Sequence, residues 1–307
     1  MHVSSLPGQK MFQKQPVSMS SPDTQATHGR KAKPFLKWAG GKQQLLSQFE
    51  AFFPKAFSRY IEPFTGGGAV FFHLWNVQRL PSQVCLIDHN EELINAYQVV
   101  RQDVDALIHL LHRHKQNHCQ EYYYHVRKMD RGVSRSMSEA ERAARTVYLN
   151  RTCYNGLYRV NRRGEFNVPM GSYANPRILY EDVLRAASIA LQGVSLSVND
   201  FRSIVEMALP GDFYYFDPPY DPLSKTANFT GYTANSFGDQ DQRDLADVFQ
   251  QLSDKGCFCM LSNAHTPFVL DLYRDFRIAK VSAKRAVNSN GNSRGAVLEV
   301  VVMNYGG

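Results

Sequence analysis

The 307-residue chain contains no CxxC pair, and its five cysteines (Cys85, Cys119, Cys153, Cys257 and Cys259) are odd in number. Neither a disulfide framework nor a zinc knuckle is expected, and all five are read as reduced thiols. Cys257 and Cys259 sit two apart in an apolar run, on one face of an expected strand, which is poor geometry for pairing. No apolar run approaches the roughly 18 residues of a membrane helix. The N-terminal residues lack the apolar stretch of a secretory leader, so a cytoplasmic protein with no membrane association is expected. Residues 1–33, rich in Ser, Gln, Pro and Lys, lack periodicity and read as a disordered tail. There is no internal repeat and no complete GxGxxG turn; the latter argues against a nicotinamide dehydrogenase.

What is present is a hydrophobic fraction of 43%, enough for one large core or a core with an inserted module. Lys plus Arg is 35 and Asp plus Glu is 28, giving a net charge of +7. From Arg127 to Arg163 there are ten Lys or Arg against three Asp or Glu, an excess equal to that of the whole chain. Such a run is suited to neutralising phosphates.

The patterning is that of an α/β protein. A helix is expected over 41–53, a strand over 59–64 ending in a glycine turn at 65–68, and a helix over 69–77. A strand over 84–88 and an amphipathic helix over 91–111 follow. Strand–glycine turn–helix–strand–helix opens a doubly wound parallel sheet. The alternation then breaks. Residues 112–192 carry helical stretches near 121–130, 139–150 and 179–191, with a loop-rich or hairpin segment at 151–178, and are read as an insertion. Strands resume at 194–198, 212–217, 257–261, 276–282 and 296–303, with helices near 202–208, 240–253 and 265–274 and a long loop before residue 238. Seven strands imply a mostly parallel sheet with a late antiparallel hairpin, and a ligand site beyond the strands' carboxyl ends.

Two motifs end predicted strands. Thr65–Gly68 lets backbone approach a ligand, and Asp88 ends the next strand about twenty residues later, where a carboxylate accepts hydrogen bonds from ribose hydroxyls. Asp88 is also placed to cap the helix that begins at 91. The segment FLKWAGGK (35–42) adds Trp38, a face for a ring or a sulfonium, and Lys42, a partner for a carboxylate. The sharper motif is Asp217–Pro218–Pro219–Tyr220 after the apolar FYYF. Two prolines stiffen the backbone, holding a carboxylate, a proline carbonyl and an aromatic ring in fixed relation. The exocyclic amine of adenine is a poor nucleophile because its lone pair is delocalised into the ring. A carboxylate (Asp217) and a carbonyl (Pro218) accepting its two hydrogens would favour a pyramidal nitrogen while Tyr220 stacks on the base. No metal is needed for this chemistry. His114 and His118 have helical ligand spacing but no third ligand, so the histidines at 109–125 read as polar surface.

FLKWAGGK (35–42), EPFTGGGAVF (62–71), DHNEEL (88–93) and DPPY (217–220) resemble the alpha-group, D12-class adenine-N6 DNA methyltransferases, most of all the Dam-type enzymes that recognise GATC. The resemblance runs from about Pro34 to Tyr305. It implies a Rossmann-like S-adenosylmethionine-dependent methyltransferase sheet at 34–111 and 193–307, with a mainly helical target-recognition domain plus hairpin inserted at 112–192. It implies duplex DNA as partner, with no obligatory protein partner. By the same resemblance Trp38, Lys42, Phe64, Gly66, Gly68, Asp88, Asp200, Phe201 and Asp217 contact the cofactor. The segment LNRTCYNGLYRVNRRGEFNVPMGSY (149–173) is similar to the Dam-type recognition hairpin. That match implies that Arg159 reads a guanine, Lys37 and Leu157 lie at the outer base pair, and Pro169 touches a thymine methyl. Tyr154 and Asn155 stand where a flipped adenine leaves the stack, with Arg151 and Tyr173 as further DNA contacts. Arg159 also makes independent sense, because Arg is the usual bidentate partner of guanine. In this superfamily cytosine-N4 enzymes carry Ser, and protein-glutamine enzymes Asn, where this chain has Asp217. The intact motifs argue against a non-catalytic DNA-binding module.

Overall fold

A computed structural model describes residues 31–131, 136–220, 237–283 and 297–306. The expected tail up to residue 30, and the loop expected after Tyr220 as far as residue 236, lie outside the described residues. The last residues assigned to the tail belong to the fold. Ala32 is buried; its N–H donates to Asn76 Oδ1 at 2.9 Å and its carbonyl accepts from Asn76 Nδ2 at 2.7 Å.

The sheet has seven strands: β1 (Arg59–Glu62), β2 (Gln83–Asp88), β3 (Ser195–Val198), β4 (Phe213–Phe216), β5 (Phe258–Ala264), β6 (Arg277–Ala283) and β7 (Val297–Met303). Their spatial order is β3-β2-β1-β4-β5-β7-β6. Strands β1 to β5 pair in parallel, and β7 runs antiparallel to both β5 and β6. The central position of β4 follows from its composition: all four residues of FYYF are buried, as a parallel strand covered on both faces requires. After β1 the chain winds outward through β2 and β3, then returns to lay β4 on the other side of β1. The direction therefore reverses between β1 and β4, where open α/β sheets bind ligands.

Helices cover both faces. Those before β3 are α1 (Leu46–Phe49), α2 (Ala69–Asn76), α3 (Glu91–Gln102), α4 (Val104–Gln116), α5 (Gln120–Arg127), α6 (Glu139–Thr152) and α7 (Glu181–Ala190). After β4 come α8 (Asp239–Asp254) and α9 (Pro267–Leu272). The single helix expected over 91–111 is two. Asp103 leaves helical geometry (φ −148°, ψ 64°) and its side chain accepts the Ala106 N–H, ending one helix and capping the next. The helix expected over 41–53 is only a 3-10 turn (Lys42–Gln44) and the four residues of α1, a stretch that buries Leu45 and Phe49.

Position 112 falls inside α4, and one apolar cluster unites sheet residues such as Tyr60 and Leu86 with Tyr123, Tyr148, Phe166 and Leu184 of the segment read as an insertion. A second cluster, including Phe216, Phe249 and Tyr273, fills the α8–α9 face. Residues 153–170 form a minimal hairpin through bridges Cys153–Met170 and Val160–Phe166. The histidines are not all surface. His114 is buried, stacks on Tyr148 at 4.7 Å and hydrogen-bonds the Tyr122 hydroxyl, while His118 bonds the Tyr148 hydroxyl at 2.8 Å. An imidazole presents a flat face as well as polar atoms, and the tyrosines answer both. Among the described residues no helix is long and apolar enough to cross a membrane, and no group of side chains is placed to hold a metal ion.

Candidate active site

A cavity of about 820 Å³ opens at the carboxyl ends of β1, β2 and β4. Every residue expected at the cofactor lines it: Trp38, Lys42, Phe64, Gly66, Gly68, Asp88, Asp200, Phe201 and Asp217. Pro218, Pro219, Tyr220, Lys37 and Arg151 line it too.

The glycine turn is built from its own hydrogen bonds. Thr65 Oγ1 lies within hydrogen-bond reach of the carbonyls of Glu62 (3.0 Å) and Ile87 (2.9 Å), tying β1 to β2. Gly68 adopts φ 67° as the N-cap of α2, and a Cβ there would lie 2.7 Å from the Tyr97 hydroxyl, so conformation and space both demand glycine. Trp38 lies against this turn, its ring edge where a side chain on Gly66 would be. Asp88 does not cap α3; Asn90 does, accepting the Leu93 N–H. Asp88 instead accepts the Gly66 N–H on Oδ2 and the Asn90 N–H on Oδ1, both at 2.9 Å. A carboxylate offers about four lone-pair directions, so it can still accept from a ligand. Burial raises the Asp88 carboxyl above the ordinary carboxylate range, and the amides of Gly66, Asn90 and His89 counter it. Phe64, Phe201 and Phe237 form an aromatic group with centroids 5.3 to 5.9 Å apart. Arg202 lies 4.4 Å over the Phe201 ring and pairs with Asp200 at 3.1 Å and with Asp241 and Asp244 of α8.

The other end of the cavity is organised around Asp217. Lys42 is 3% exposed; its ammonium lies 2.7 Å from Asp217 Oδ1, donates to the Gly40 carbonyl at 2.6 Å and sits 4.4 Å over the Tyr220 ring. The carboxylate expected for Lys42 is therefore Asp217. Ser262 on β5 donates to the same Oδ1 at 3.1 Å. Burial raises Asp217 above its ordinary value, with Lys42 the chief counterweight. Tyr220 donates its hydroxyl to Glu299 on β7 at 2.5 Å. The Pro219 carbonyl accepts from Gln242 Nε2 at 3.0 Å, and Gln242 Oε1 accepts from Asn263 Nδ2 at 3.0 Å. Among the described residues no donor reaches the Pro218 carbonyl, in contrast to that of Pro219. Ser262, Gln242, Asn263, Glu299 and Phe237 were not singled out in the sequence. They are isolated residues, far along the chain, with no local motif to mark them.

The comparison with known families can now be set beside this geometry. Residues 38–287 match the family described as D12 class N6 adenine-specific DNA methyltransferase. The chain belongs to that family. It is 44% identical over 277 residues to the type II methyltransferase M1.LlaDCHI of Lactococcus lactis subsp. cremoris, covering 89% of this chain and 96% of that one. It is equally similar, 44% over 287 residues, to the type II methyltransferase M.MjaIII of Methanocaldococcus jannaschii (89% and 99% covered). It is 34% identical over 276 residues to the DNA adenine methylase of Escherichia coli K12 (89% and 96%). The protein is thus an adenine-specific DNA methyltransferase on an α/β sheet.

The methyltransferase's basic segment is less open than its composition suggested. Arg145 is 5% exposed and pairs with Asp130 at 2.7 Å; Arg142 pairs with Glu91 and Glu92 across α3. Arg151 donates to the Phe35 carbonyl and lies 4.4 Å over the Tyr180 ring, and its buried Nε has no partner among the described residues. These guanidiniums fasten α6 to its neighbours. Arg159, Arg162 and Arg163 at the hairpin are exposed, as are Tyr154, Asn155, Pro169 and Tyr173; Leu157 is half-buried. Arg159 Nε donates to Asn167 Oδ1 at 2.7 Å, which orients its fork. Asn155 takes a left-handed conformation (φ 54°), which Asn tolerates better than most residues. Trp38 stacks on Tyr158 at 5.5 Å, joining the glycine turn to the hairpin.

Proposed function

We propose that this methyltransferase transfers a methyl group from S-adenosylmethionine to the N6 amine of adenine in duplex DNA, at GATC, by flipping the base out and by direct displacement. The observation that carries the reading is the Asp217–Lys42–Tyr220 cluster and the glycine turn with Asp88 at two ends of one cavity. The cavity volume is in the range usual for small-molecule sites. The donor set suits the cofactor: the free lone pairs of Asp88 for ribose hydroxyls, the rings of Phe64 and Phe201 for adenine, and Gly66, Gly68 and Trp38 along the chain between. Asp200 pairs with Arg202 and shapes this end of the cavity. When bound, S-adenosylmethionine supplies a methyl already activated on a sulfonium.

The protein's part is alignment and acceptance of hydrogen bonds. Asp217 and the Pro218 carbonyl accept the two N6 hydrogens, which turns the nitrogen lone pair outward. Tyr220, pinned by Glu299, provides the stacking face, and Pro219 keeps the turn rigid. Lys42 keeps Asp217 ionised. Residues 112–192 form the target-recognition part. Unstacking the base costs on the order of a few kcal/mol, offset by contacts from Tyr154 and Asn155. Arg159, Lys37, Leu157, Pro169 and Tyr173 read the site, and Arg151 braces α6 behind them. The test is to methylate a plasmid in vitro and map every modified adenine. Modification confined to GATC is expected; adenines modified across unrelated contexts would remove the GATC assignment.

A further inference from the structure

Lys37 is an exposed cation at the rim of the cavity, yet its backbone is fixed by one side chain from a distant part of the chain. The Lys37 N–H donates to Asn150 Oδ1, and Asn150 Nδ2 donates to the Lys37 carbonyl, both at 2.7 Å. This is the two-bond exchange by which an antiparallel strand would pair with residue 37. The remaining Nδ2 hydrogen goes to the Gly156 carbonyl at 3.0 Å. Asn150 is 1% exposed, lies in the last turn of α6, and uses both amide hydrogens on these two carbonyls. Gly156 closes the arrangement from the other side. It holds φ 66°, and a Cβ there would lie 2.6 Å from Lys37 Cδ. The ammonium then rests 4.7 Å over the Tyr173 ring.

We infer that Asn150 is a positioning residue for site recognition: its side chain clamps Lys37 against the turn at Tyr154–Gly156, so that the ammonium meets the outer base pair at one fixed place. This deepens the proposed function and rests on its assignment of Lys37 to that base pair. The physical need is clear. A lysine is a point charge on a flexible four-carbon stem, and it discriminates between base edges only if its origin is fixed. Arg159 has a planar fork and a partner in Asn167; Lys37 has no such intrinsic geometry, and the Asn150 clamp and the Gly156 contact supply it.

The experiment is a double-mutant cycle of Asn150→Ala and Lys37→Ala. The readout is the ratio of kcat/KM on a GATC duplex to that on a duplex with the outer base pair changed, with S-adenosylmethionine affinity and thermal unfolding measured alongside. Lys37→Ala is expected to collapse the ratio. Asn150→Ala is expected to lower it about tenfold while cofactor affinity stays within about threefold, and to add less than about twofold once Lys37 is gone. An unchanged ratio in Asn150→Ala, or its full effect persisting without Lys37, overturns the inference. If Lys37→Ala itself leaves the ratio unchanged, the assignment of Lys37 fails and the inference falls with it. Should Asn150→Ala not fold, Gly156→Ala displaces Lys37 from the opposite side and is expected to lower the same ratio; an unmoved ratio there overturns the inference equally.

Discussion

Replacing Lys42 by Met removes a charge but keeps a side chain of similar length. Lys42 is 3% exposed and its ammonium lies 2.7 Å from Asp217, so its loss leaves a carboxylate in a largely dry site. Removing one partner of a buried pair costs about 3–5 kcal/mol. Asp217 keeps 21% side-chain exposure and the Ser262 hydroxyl at 3.1 Å, which reduces the cost to about 2–3 kcal/mol; borne by the ionised form, it lowers the ionised fraction, and with it kcat, by up to roughly 30- to 150-fold at neutral pH. Burial already holds Asp217 above the ordinary carboxylate range, and Lys42 is what chiefly opposes it, so the variant's carboxyl rises further. In the proposed mechanism the ionised form accepts an N6 hydrogen. The acid limb of kcat should therefore move to higher pH, and the variant should recover activity as pH rises. Stability runs the opposite way: a raised folded-state value means the favourable contribution is full at low pH and is lost as pH rises through it, more so in the variant. Single-turnover methyl transfer at saturating cofactor, from about pH 5 to 9, reads the rate and its acid limb, and thermal unfolding over the same range reads the stability. A kcat within about threefold of wild type at neutral pH, with an unmoved acid limb, would refute the reasoning.

Three further outcomes are expected. Gln242→Leu removes the donor to the Pro219 carbonyl and the Oε1 that accepts from the Asn263 amide, and should lower kcat by about tenfold or more with little change in cofactor affinity; a change in affinity alone would contradict this. Glu62 is buried against the Tyr60 hydroxyl and burial pushes its carboxyl up to about 8, so its stability contribution is full below the ordinary Glu range and is lost as pH rises through 8; Glu62→Gln should raise Tm near pH 8 and leave it unchanged near pH 5. His114 is pushed down to about 4 by burial, so the unfolded chain takes the proton first as pH falls below about 6.5, and stability declines from there toward pH 4; His114→Phe should flatten that part of the Tm profile, and an identical slope would contradict it.

The two ends of the cavity were legible because each is a contiguous run whose backbone does the work. Thr65–Gly68 and Asp217–Tyr220 carry their own turn chemistry, and each ends a strand that the pattern marks; that the two strands lie side by side emerges only in the sheet. Asp88 was legible by its spacing, although its bonds go to the glycine turn as well as to its own loop. The bracing residues were not, because a single Gln on an amphipathic helix or a Glu on an edge hairpin looks like solvated surface until tertiary contacts bury it. Gln242 and Glu299 are of this kind. The arginine run misled for the complementary reason. Arg142 reaches Glu92 fifty residues away, and Arg145 is drawn inward by Asp130, so charge that looks free in sequence is spent inside the fold. The break at Asp103 was hidden because the apolar periodicity continues across it on both helices.

The most direct test of the account is methyl transfer from labelled S-adenosylmethionine to two short duplexes, one with GATC and one with those letters scrambled, using the wild type and Asp217→Ala. The account predicts label on the GATC adenine alone, abolished in the variant although it still binds DNA. Equal label on both duplexes, or undiminished transfer by Asp217→Ala, would contradict it.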